Sequence, residues 1–99
     1  MKYPKKLKTA SSLTKRTLIA RVLKLCEEAG ELSAEVLKFS NLKGRGGKSK
    51  SEVEEDLREE AVDCLIMSLD ILIETGTSEK HLNELLNKKL DKWMGQLKK

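Results

Sequence analysis

Two pairs of acidic residues stand where the chain is otherwise apolar: Glu28 with Glu31, and Glu60 with Asp63. Asp63 lies between Val62 and the run Cys64-Leu65-Ile66, and an unpaired carboxylate drawn out of water there would cost on the order of several kcal/mol. The members of each pair are three residues apart, so on a helix they are neighbours, about 60° apart around the axis. Packed helices run about 8–10 Å axis to axis, which lets four carboxylates from two helices converge on one hard cation. Mg²⁺ suits such a donor set, because it prefers octahedral oxygen coordination and keeps waters and substrate phosphates in its shell. Glu27, Glu35 and Glu59 flank the four as rim acids.

Two long helices must carry these groups. Leu18, Val22, Leu25, Ala29, Leu32, Val36 and Phe39 recur at spacings of four and three, which predicts one long amphipathic helix with Ser11 or Ser12 as its N-cap. Gly30, inside that stripe, either costs a little helix stability or admits a close neighbour. The stretch from Asn41 to Lys50 holds three glycines and four cations, so it ends the helix and forms a basic loop able to meet phosphates. It has no Walker A spacing. The pattern Ser51-x-x-Glu54 is a capping box for a second helix, which is apolar nearly all round after Leu57. Gly76 stops that helix, and Thr77 or Ser78 starts a third with Leu82, Leu86, Leu90, Trp93 and Leu97 on one face. The expected fold is all-α: a bundle of about three main helices, the two acid-bearing ones antiparallel, completed by oligomerisation.

Composition narrows the classes. A chain of 99 residues, 36% charged and 38% hydrophobic with a single proline, suits one helical domain over residues 11–99, preceded by a basic arm over 1–10. The net charge of +4 is uneven: residues 2–24 contain no acid, while Glu52 to Glu60 is acidic. The arm lacks interleaved aromatics or a recognisable binding motif, so it is expected to be a solvated, partly disordered tail, with no nucleic-acid partner. No run reaches the length of a membrane span and no signal-peptide core follows the basic start, so a cytoplasmic location without membrane contact is expected. Cys26 and Cys64 fall on apolar faces and are expected as core thiols, since two cysteines and one histidine make no zinc motif.

The segments Leu25-Cys26-Glu27-Glu28-Ala29-Gly30-Glu31-Leu32 and Glu59-Glu60-Ala61-Val62-Asp63-Cys64-Leu65 together resemble the E-x-x-E, spacer, E-x-x-D signature of the MazG-like nucleotide pyrophosphohydrolases, in the all-α NTP pyrophosphatase superfamily. The 28 residues between Glu31 and Glu60 form a spacer at the long end for that family, and the resemblance spans roughly residues 12–97. It implies a homodimer or homotetramer that hydrolyses a nucleoside triphosphate to the monophosphate and pyrophosphate, with Mg²⁺ as cofactor and Mn²⁺ as a substitute. By matching positions, Glu28, Glu31, Glu60 and Asp63 would be the metal ligands, and one of them or Glu27 would take the proton from water. Lys43, Arg45 and Lys48, with Lys38 one turn before the loop, would meet the phosphates. The C-terminal stretch departs from the pattern: Asn87 to Trp93 offers Lys88, Lys89 and Lys92 but no clean counterpart to the family's usual Asn-then-basic arrangement. Asp70, one heptad beyond Asp63, is expected to make a polar contact in the core. Two alternatives stand beside this reading: the related phosphoribosyl-ATP pyrophosphohydrolase, whose usual N-terminal segment is not matched before Glu27, and a non-catalytic helical adaptor.

Overall fold

An antiparallel helical hairpin carries both acidic pairs. In the computed structural model, which describes residues 1–40 and 46–98, the helices are α1 (Lys5–Leu13), α2 (Leu18–Ser40), α3 (Lys50–Glu74) and α4 (Glu79–Leu97). The described residues contain no strand, so the fold is all-α, with one short helix beyond the three expected.

That short helix replaces the solvated tail. Tyr3 is buried and, with Leu69 and Leu82, forms a small core against which Leu7, Leu72 and Ile73 pack. The Tyr3 hydroxyl donates to the Thr77 carbonyl at 2.9 Å, and its backbone N–H donates to Glu79 Oε1 at 3.0 Å. Tyr3 and Leu7, four apart, are apolar anchors that the surrounding lysines hide. Ser11 and Ser12 accordingly close α1, and the cap of α2 is Thr17, whose Oγ1 accepts the Ala20 N–H at 3.1 Å.

The capping box of α3 also lies two residues earlier than expected, at Ser49 rather than Ser51. Ser49 Oγ accepts the Glu52 N–H at 3.2 Å, and Glu52 Oε1 accepts the Ser49 N–H at 3.5 Å. Ser49-x-x-Glu52 and Ser51-x-x-Glu54 are equivalent as patterns, and the earlier start lets the N–H of Val53, whose surface is fully covered, bond the Ser49 carbonyl at 3.1 Å. At the other end of α3, Gly76 takes φ +72°. Gly76 N–H reaches the Ile73 carbonyl at 3.0 Å and Thr77 N–H the Leu72 carbonyl at 2.9 Å, a Schellman closure that only a left-handed residue permits. Ser78 then caps α4, accepting the His81 N–H at 3.0 Å.

The seam between α2 and α3 takes up only part of the expected apolar stripe, Leu25, Leu32 and Phe39. On α2 the buried or half-buried positions are Ala20, Arg21, Lys24, Leu25, Glu28, Leu32, Glu35 and Phe39, so charged layers alternate with apolar ones. Leu18, Val22 and Val36 of the expected stripe stay exposed. Cys26, expected as a core thiol, is also exposed, while Cys64 is half-buried; both are free. Among the described residues nothing approaches within 4 Å of where a Gly30 Cβ would sit, so close packing within the chain is not what that glycine serves. α4 leaves the core after Leu82, and Leu85, Leu90, Trp93, Met94 and Leu97 lie exposed along it. The radius of gyration, 16.3 Å, exceeds the roughly 13 Å of a compact domain of this length.

Candidate metal centre

The antiparallel pairing sets Glu28 of α2 against Glu60 and Asp63 of α3. One carboxylate oxygen from each of these three lies within 4.8 Å of the others. Glu31 is close enough for its charge to act on Glu60. Of the four expected ligands, Glu28, Glu60 and Asp63 come together, and Glu31 is exposed and lies outside that group.

The electrostatics of the group are unfavourable on their own. Burial first, then the charges of Glu31, Asp63 and Glu28, push the Glu60 carboxyl above its ordinary pKa of 4.5. Its Oε2 is buried and has no hydrogen-bond partner among the described residues. Burial and the same four carboxylates push the Cys64 thiol up as well. One cation answers them: Lys24 Nζ lies 3.3 Å from both Glu27 and Glu28. Those hydrogen bonds, Glu27's first, raise the lysine's pKa.

The other expected residues lie away from this centre or outside what is described. Glu27 is exposed and held by Lys24. Lys38 pairs with Glu35 at 3.1 Å, a turn or more beyond the four acids. Lys48 is bound to Asp56 at 2.6 Å, an interaction that raises the lysine's pKa. Lys43 and Arg45 lie outside the described residues. Asp70 makes the expected core contact, and its partner is Arg21 at 2.5 Å.

Two cations outside the expected set, Lys24 and Arg58, border the acids. Lys24 is legible as an i,i+4 partner of Glu28. Arg58, bonded to Glu54 and Glu55, lines an open cleft of about 350 Å³ with Glu55, Glu59, Val62 and Asp63. It sits amid acids in the sequence, which makes it read there as a surface ion-pair residue. Chemically, the site offers several oxygen donors, a rim of cations and an open side through Asp63. No family model matches this chain, and neither does any curated protein or solved structure.

Proposed function

We propose that this chain is a MazG-like, Mg²⁺-dependent nucleoside triphosphate pyrophosphohydrolase of the cytoplasm, cleaving an NTP or dNTP to the monophosphate and pyrophosphate as nucleotide-pool housecleaning. The observation that carries this reading is the convergence of Glu28, Glu60 and Asp63 oxygens within 4.8 Å. Like charges at that range repel, and the partnerless buried Oε2 of Glu60 compounds the cost. A divalent ion turns the same arrangement favourable, and three carboxylates with room for waters fit what Mg²⁺ requires.

When bound there, Mg²⁺ neutralises phosphate charge and lowers the pKa of a coordinated water. Glu28, Glu60 and Asp63 would hold the ion. Glu31, exposed and near Glu60, would be the carboxylate that accepts a proton from the attacking water. Lys24 and Arg58 supply positive charge beside the acids, and Lys48 reaches phosphate only by leaving Asp56. We assign the exposed apolar flanks of α2 and α4 to self-association as a homodimer or homotetramer, supported by the extended shape and by Ile19 and Trp93, which are 74% and 58% exposed. The same α4 surface favours a second reading, a non-catalytic helical adaptor, which releases no pyrophosphate.

A panel of NTPs and dNTPs with Mg²⁺, with phosphoribosyl-ATP alongside, tests the choice by pyrophosphate release. At least one nucleotide should be hydrolysed, and chelation should abolish the activity. Glu31→Gln and Asp63→Asn should each lower it by at least about a hundredfold, since even groups that merely support metal ligands cost ten- to a hundredfold. Full turnover by either variant would refute the assignment of that residue; silence across the nucleotide panel would refute the hydrolase.

A further inference from the structure

We infer that the buried Arg21–Asp70 pair is the positioning element of the acidic centre: it fixes the rotation and register of α2 against α3, and thereby where Glu28 meets Asp63. The inference rests on the metal-binding reading above. Arg21 is 2% exposed and Asp70 6%. The Arg21 guanidinium donates to Asp70 Oδ1 at 2.5 Å, Ser11 Oγ at 3.0 Å and the Ser11 carbonyl at 3.3 Å. Its Nε donates to the Arg16 carbonyl at 3.1 Å, and Glu74 lies 3.2 Å from Nη2. One side chain is thus tied to α1, to the α1–α2 connection and to α3.

Apolar packing alone leaves this interface degenerate. Ile19 and Leu23 on α2 are exposed apolar residues outside the seam, and α3 is apolar around much of its circumference beyond Leu57. Turning α2 would bury one set of apolar groups as another emerged. The guanidinium does not tolerate that exchange, because its planar fork matches one arrangement of acceptors and is buried without charge compensation in any other. Fixing register is the best-attested use of a buried polar pair. The placement suits that use: Arg21 is one heptad before Glu28 and Asp70 one heptad after Asp63. In an antiparallel pair these are successive layers of the same register, about 10 Å apart at 1.5 Å per residue.

The test separates positioning from stability. In the double variant R21M/D70L the pair is replaced by apolar side chains with no change in net charge, and such replacements are often neutral or stabilising. Thermal melts and Mn²⁺ titration, with free ion followed by its electron paramagnetic resonance signal, are compared with wild type. The expected result is a melting temperature maintained or raised and Mn²⁺ affinity weakened at least tenfold. Wild-type affinity in the folded variant would overturn the inference and leave the metal reading standing; no Mn²⁺ binding by wild type would overturn both. If R21M/D70L fails to fold, the charge-neutral polar pair R21Q/D70N is read by the same criteria.

Discussion

Glu60 concentrates the electrostatic cost of the candidate centre. Its carboxyl is held above 4.5 by burial and by three neighbouring acids, so the folded state binds its proton more tightly than the unfolded state does. Stability from this group is therefore fully present below the unfolded pKa and is lost as pH rises through the higher folded one. Chelator-treated protein melted at a series of pH values should show wild type losing stability relative to Glu60→Gln as pH climbs above about 4.5, with a shared background from other carboxylates. Parallel curves for the two proteins would mean that Glu60 is not strained. Asp70 shows what the residue pattern could and could not disclose. An acid in an apolar run announces that something must satisfy it, yet the satisfying group, Arg21, falls among residues whose four-and-three spacing directs attention to Leu18, Val22 and Leu25. The heptad relation between Arg21 and Glu28 was the available signal.

Helix ends obey local chemistry, and this chain offers redundant choices. Gly76 was legible because a left-handed stop has few alternatives; the start of α3 was not, because two Ser-x-x-Glu patterns lie two residues apart and nothing in the local pattern ranks one above the other. The expected apolar stripe of α2 caught only Leu25, Leu32 and Phe39 of the seam for a related reason. A helix with apolar groups over a wide arc can present several faces, and periodicity alone does not say which one a charged partner helix will meet. Gly76→Ala should cost about 1–2 kcal/mol, because a Cβ meets nothing within 4 Å there and the penalty is that of the left-handed backbone itself. Denaturant titration measures it, and a loss below a few tenths of a kcal/mol would show that the α3–α4 corner closes without that conformation. Ser49→Ala should cost about 1 kcal/mol through the lost cap, with Ser51→Ala near neutral; the reverse order would restore the later helix start.

For the molecule as a whole, metal and self-association should both stabilise the fold. Mg²⁺ at a hundredfold excess over its Kd should add about 2.7 kcal/mol to the folded state, read as a higher melting temperature that Glu28→Gln abolishes. Light scattering at micromolar concentration should give twice or four times the 11.2 kDa chain mass. Charge placed on the exposed flank, as in Ile19→Glu, should shift that mass toward the single chain, because burying an unpaired carboxylate in an apolar contact is costly. An unaltered mass would assign association to α4, where Trp93→Glu is the corresponding change.

The socket for Tyr3 lies 74 residues downstream, at the carbonyl of Thr77. During translation the aromatic ring therefore emerges roughly 4–15 s before its acceptor, at the usual 5–20 residues per second. Throughout that interval the nascent chain holds a phenol and a run of lysines with nowhere native to settle, and the corner that aims α4 can be locked only after the whole α2–α3 hairpin has been made.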